Sequence, residues 1–146
     1  MQRIENYVTL EFLSRSSNES FARIAAAGFA AQLDPTLDEL GDIKTAVSEA
    51  VTNAIVHGYP DRLGKIVVKL KLLENRTLEI TVRDWGRGIE DVQQAREPLF
   101  TTGGEERSGM GFTIMESFMN RVNVRSTPGR GTTVTMRRRI SARIKG

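Results

Sequence analysis

Glu49, Asn53 and His57 recur every fourth residue, so a helix through 48–58 carries them as a single polar stripe. An asparagine amide oxygen is a hard ligand suited to Mg²⁺, which keeps several waters and leans on substrate phosphates. A carboxylate one turn away, at Glu49, can take a proton from an attacking hydroxyl or water. Taken alone, the stripe reads equally as a solvated helix face. His57 closes the helix, where an imidazolium also suits the helix dipole. Three glycine clusters stand apart from this stripe: Asp84-Trp85-Gly86-Arg87-Gly88, the stretch from Gly103 to Gly111, and Gly129-Arg130-Gly131-Thr132. Glycine permits close backbone approach, which phosphate-binding loops use. The common phosphate fingerprints are nevertheless absent. Gly64-Lys65 is followed by Ile66 rather than a hydroxyl residue, and Asp91 stands where a dinucleotide loop needs its third glycine. The protein-kinase triplets are missing too.

Composition bounds what surrounds these residues. A chain of 146 residues has the size of one domain, and 39% apolar with 27% charged residues is ordinary globular composition. The reading is one domain over 1–146, soluble and cytoplasmic, with no membrane contact. There are no cysteines and one histidine, which excludes disulfides, cysteine nucleophiles and multi-histidine metal clusters. The net charge of +3 comes from the C-terminal end, chiefly Arg137, Arg138, Arg139, Arg143 and Lys145. That end lacks interleaved aromatics and reads as a solvated strand and tail, with no direct nucleic-acid binding expected.

Periodicity supplies the elements. Val8, Leu10 and Phe12 alternate in a strand over 7–13. Phe21, Ile24, Ala25, Phe29 and Leu33 follow at helical spacing until Asp34-Pro35 stops them. Thr36 and Glu39 form a capping-box pattern that opens the helix carrying the polar stripe, and Gly58 has the type of a C-cap. Strands over 65–73 and 77–84 are joined by Glu74-Asn75-Arg76. A short helix near 90–96, a loose stretch over 97–109, a helix over 110–120 and a hairpin of strands 121–126 and 132–140 complete the chain. The expected fold is α+β, a two-layer sandwich of a mixed, mostly antiparallel sheet with helices on one face.

The order of motifs adds a resemblance. Glu-x₃-Asn on a helix, Asp-x-Gly-x-Gly after a strand, Gly-x-Gly at a helix start and Gly-Thr in a last hairpin are similar to the Bergerat-fold ATPases over about residues 36–136. The resemblance implies ATP/ADP with Mg²⁺, Asn53 as metal ligand and Asp84 as acceptor of the adenine amino group. It also implies that Gly86 and Gly88 let the backbone approach the nucleotide, and that Thr132 or Thr133 backs Asp84. The stretch 97–111 would be a lid, with Thr101, Thr102, Arg107, Ser108, Gly109, Met110, Gly111 and Phe112 around the phosphates. In that frame Glu49 is the general base, and Arg107 stabilises charge in transfer.

Within that superfamily, residues 48–58, Pro98-Leu99-Phe100-Thr101-Thr102 and the run Glu106 to Glu116 resemble the sporulation anti-sigma-F family of protein-serine kinases. Asn18 to Arg23 fits as well. The resemblance implies a homodimer that holds a sigma-F-type factor in an ATP-dependent complex and phosphorylates a serine of an anti-anti-sigma factor. Glu19 and Arg23 are the implied partner contacts, turned outward by Phe21 and Ile24 facing the sheet. The alternatives are a general-stress anti-sigma kinase of the same fold, and a nucleotide-dependent binding module without kinase activity. The catalytic half of a histidine kinase is disfavoured, because the lone histidine lies within the ATP motif.

Overall fold

A computed structural model describes residues 2–96 and 106–142, and of 106–110 only the backbone. The elements run β1 (Ile4–Leu13), α1 (Ser17–Ala30), α2 (Leu37–Asn53), β2 (Lys65–Leu73), β3 (Thr77–Asp84), α3 (Val92–Ala95), α4 (Glu106–Phe118), β4 (Arg121–Thr127) and β5 (Gly131–Arg139). The strands form one sheet in the order β1-β2-β3-β5-β4, and every ladder is antiparallel. This is the two-layer α+β arrangement that the patterning predicts.

Register explains the core. Val68, Val82 and Val134 stand opposite one another across β2, β3 and β5, as do Leu70, Ile80 and Met136 in the next row. All six are buried. Fully burying such a side chain is worth about 1.5–3 kcal/mol, so this inner face holds the helices to the sheet. α2 lays Ile43, Ala46, Val47, Ala50 and Val51 onto it. The N-terminus of α2 has the expected capping box: Glu39 N–H donates to Thr36 Oγ1 at 3.0 Å, and Thr36 N–H donates to Glu39 Oε1 at 2.9 Å. The same carboxylate accepts from Ser141 N–H at 2.9 Å, tying the end of the chain to the start of α2. Burial pushes the Glu39 pKa up, but the hydrogen bonds from Ser141 and Thr36 prevail and hold it below its ordinary value.

Three expectations need correction. α1 does not turn Phe21 and Ile24 toward the sheet; they are 56% and 65% exposed. Its buried face is Ala22, Ala26 and Ala30. Three alanines at four-residue spacing let α1 approach α2 closely, and that approach leaves no room for larger side chains. Second, α2 ends not in a left-handed glycine cap but in a π-helical turn, Ala54–Gly58, followed by Tyr59 at φ −128°. Gly58 is required for a different reason: a Cβ there would stand 2.9–3.1 Å from the Asp84 carboxylate. Third, α4 starts at Glu106 rather than 110. Gly111 is a weak helix former, and its close packing on Asn53 overrides that preference.

Ala26→Leu should therefore cost about 1–3 kcal/mol by overpacking the α1–α2 contact. Ile24→Ser should stay within about 0.5 kcal/mol of wild type. Urea unfolding of both variants checks this; the reverse ranking would restore Ile24 to the core.

Candidate functional site

The far end of β3 meets the last turn of α2, and a cavity of about 550 Å³ opens between them. That volume lies within the range of small-molecule sites. Asn53, His57, Asp84, Gly88, Phe112 and Thr132 line it. Of the site residues predicted from sequence, Asn53, Asp84, Gly88, Phe112 and Thr132 are brought together here, and His57 of the polar stripe joins them. Glu49 is half-buried on the helical turn before Asn53 and is not part of the cavity wall. Thr101 and Thr102 lie outside the described residues, as do the side chains of Arg107, Ser108 and Met110; Gly109 is described only as backbone within α4.

Asp84 ends β3 at 5% exposure. Burial pushes its pKa up, while backbone N–H groups of Gly86 and Thr132 work to lower it. Gly86 N–H donates to Asp84 Oδ1 at 2.9 Å. Gly86 is fixed as glycine by close approach: a Cβ would stand 1.9 Å from the Gly58 carbonyl oxygen. The β3-to-α3 turn thus folds directly onto the π-turn, and Arg87 pins the pair by donating through Nε to the His57 carbonyl at 3.0 Å. Gly88 takes φ +74°, as its place in a tight turn requires.

Across the cavity, Asn53 is held by α4. Gly111 packs so closely that a Cβ would come within 2.9 Å of Asn53 Nδ2. That Nδ2 is buried without a hydrogen-bond partner among the described residues. Leaving a buried amide group unpaired costs about 1–3 kcal/mol, which a ligand in the cavity can recover. No group of three or more carboxylate or histidine side chains that could cage a metal occurs among the described residues. The donor set fits an ion that takes one amide oxygen and leaves its other positions to water and phosphate, as Mg²⁺ does.

Sequence reasoning missed several supports. Tyr59 is buried; its hydroxyl donates to the Lys65 carbonyl at 2.6 Å and accepts from Trp85 N–H at 2.7 Å, fixing the residue after Asp84. Ser126 Oγ lies 2.8 Å from Thr132 Oγ1 and accepts from Ile89 N–H at 2.7 Å. Neither residue stands in a motif, so nothing in the linear pattern marks them.

The chain matches the Histidine kinase-like ATPase domain family over residues 14–138. It is 57% identical over 136 residues to the anti-sigma F factor of Caldanaerobacter subterraneus, covering 92% of this chain and 94% of that protein. With the anti-sigma F factor of Bacillus subtilis it shares 54% identity over 140 residues, 94% of this chain and 95% of that one. Among solved structures it superposes on the RsbU and RsbW domains of a Mycobacterium tuberculosis protein with a TM-score of 0.69 at 22% identity, covering 92% of this chain and 32% of that one. A blue-light activated histidine kinase of Erythrobacter litoralis matches with a TM-score of 0.59 at 25% identity, over 80% of this chain and 40% of that one.

A carboxylate whose folded pKa is raised contributes stability at low pH and loses it as pH rises through that value. Ligand-free Asp84→Asn should therefore melt higher than wild type at about pH 8, and the gain should vanish near about pH 4, around the unfolded carboxylate value. A variant that melts lower at pH 8 would show that Gly86 and Thr132 fully compensate the buried charge.

Proposed function

Because this chain belongs to the histidine-kinase-like ATPase family, in the branch of the anti-sigma F factors, we propose that it is an ATP-dependent anti-sigma factor. It sequesters a sporulation sigma factor of sigma-F type, and it transfers the γ-phosphoryl group of ATP to a serine of an anti-anti-sigma protein. The observation that carries the reading is the pairing of a buried carboxylate with an unpartnered amide on one cavity. These groups suit opposite ends of a nucleotide. Asp84 accepts the adenine amino hydrogen, a use for a buried acceptor that faces the cavity. Thr132, beside it, orders the same edge.

Asn53 offers its amide oxygen to Mg²⁺, whose part is to neutralise the triphosphate. Glu49, one turn from Asn53, takes the proton of the acceptor serine hydroxyl. The donors assigned to the phosphates are Thr101 and Thr102 with the first turns of α4 at Arg107, Ser108, Gly109, Met110, Gly111 and Phe112; Arg107 stabilises charge in transfer. Arg96, the last described residue before that stretch, donates to Glu116 Oε1 on α4 at 2.8 Å and to the Val122 carbonyl at 3.0 Å.

Partner capture is assigned to α1. Glu19 and Arg23 pair at 3.7 Å, and Arg23 also donates to Ser20 Oγ at 3.2 Å. Beside them stand the exposed Phe21 and Ile24. Apolar side chains next to an arginine are what an interface anchor needs. The outward turn of Phe21 and Ile24 on α1 therefore supplies this surface. The chain acts as a homodimer, for which β1, one of the two edge strands and the one with Ile4 and Tyr7 exposed, offers a pairing surface. No described helix is long and apolar enough to cross a membrane, and a cytoplasmic place follows from the sigma-factor role.

Glu49→Gln should bind Mg·ATP and sigma factor nearly as wild type while phosphoryl transfer falls about 10²–10⁴-fold. Asn53→Ala should lose the Mg²⁺ dependence of ATP binding in calorimetry. Arg23→Glu should keep ATP binding and lose sigma capture. Transfer at the wild-type rate in Glu49→Gln removes the general base; unchanged ATP affinity in Asn53→Ala removes the metal ligand.

A further inference from the structure

The sheet has a second face, turned away from the helices. Cross-strand register places Glu11, Val67, Arg83, Thr133 and Arg125 in one row of that face. The next row is Thr9, Lys69, Thr81, Thr135 and Asn123, and the third is Tyr7, Lys71, Glu79, Arg137 and Arg121. Glu79 is committed: Arg137 Nη2 lies 2.7 Å from it and Lys71 Nζ 4.0 Å. Lys65, Lys69, Arg83, Arg121, Arg125 and Arg139 are exposed on the same face, and none has an acidic partner among the described residues. Threonine hydroxyls fill the positions between them. The positive balance that the sequence places in the C-terminal strand is in fact shared with β2, β3 and β4.

We propose that this face binds the phosphate backbone of double-stranded DNA without reading its sequence. A dense cationic patch on one face of a domain of pI about 9.6 is the electrostatic footprint of such binding. An acidic protein fits less well, because interface cores are built on aromatic and apolar anchors and avoid lysine. Val67, the apolar residue of the central rows, is buried. A single strand needs bare aromatic platforms for its bases. The one tryptophan, Trp85, is flanked instead by Lys65 Nζ at 4.4 Å and Arg83 Cζ at 4.5 Å from its ring centroid. An anionic membrane would call for apolar side chains to insert, which the middle of this face does not offer. Five strands at about 4.8 Å spacing make a surface roughly 19 Å across, wider than the ~12 Å major groove, so the sheet rests on phosphates and reads no base edges.

The test uses the full chain with Mg·ATP and a fluorescein-labelled 30-base-pair duplex, followed by anisotropy between 50 and 200 mM salt. If all six exposed cations neutralise a phosphate, log K falls against log salt with a slope near −5, about a 10³-fold loss over that range. Lys69→Glu with Arg125→Glu should make the slope shallower by about 2 and leave ATP affinity unchanged. The pair Lys69→Gln with Arg125→Gln serves the same purpose if charge reversal unfolds the protein. A duplex of scrambled sequence should bind equally. The proposal is overturned by no binding at 50 mM salt, by an unaltered slope in the variants, or by polyglutamate or phosphatidylserine vesicles binding more tightly than the duplex.

Discussion

Asp84 ends the central strand with its carboxylate nearly out of reach of water, and a carboxylate in that position costs free energy unless donors come to it. Gly86 and Thr132 bring backbone N–H groups, and the chain around them is shaped by the need to come that close. The π-turn of α2 closes over the carboxylate only because Gly58 has no Cβ, and the turn after β3 lies on Gly58 only because Gly86 has none. Helix, strand end and turn are thereby locked to one another at the cavity floor. The same lock sets Asn53 one turn back along α2, where Gly111 of α4 presses against its amide. A shift in either helix would move both walls of the cavity together.

α1 shows how a packing constraint produces a surface. The alanine stripe brings two helix backbones close together, with larger side chains excluded from the seam. Phe21 and Ile24 are then forced outward, beside Glu19 and Arg23. Each exposed apolar residue forgoes burial worth about 1.5–3 kcal/mol in the free protein. A surface that forgoes so much is suited to capture, because a partner recovers what folding left unused.

The two sheet faces divide the work in the same manner. One face carries valine, isoleucine, leucine and methionine in register and holds the helices. The other carries lysine, arginine and threonine, with Glu79 neutralised between Lys71 and Arg137. Long aliphatic stems cover the few apolar positions on that side while their charged ends stay in water. The Glu39 carboxylate, bonded to Thr36 and to Ser141, ties the chain just after β5 to the start of α2 and so joins the sheet to the helix layer.

What the sequence determined by itself is local. The strand over 77–84 follows from strict alternation, that over 65–73 from its run of β-branched and aliphatic residues, and the start of α2 from the Thr36–Glu39 box, because all three are set by neighbours within a few residues. Asn53, Asp84 and Thr132 stand out in the sequence through the order of motifs and the resemblance that it carries, and the fold brings all three to one cavity. Tertiary structure decided the rest. Small residues gave no signal that α1 would bury alanine rather than phenylalanine, since propensity does not know the distance to a neighbouring helix. Gly58 looked like a cap because its true constraint, the Asp84 carboxylate, lies 26 residues further along the chain. The basic face was equally hidden: its cations alternate with core residues on four separate strands, and only register brings them to one surface. Periodicity reports which side of one element is apolar, whereas close approach and summed charge depend on which elements meet.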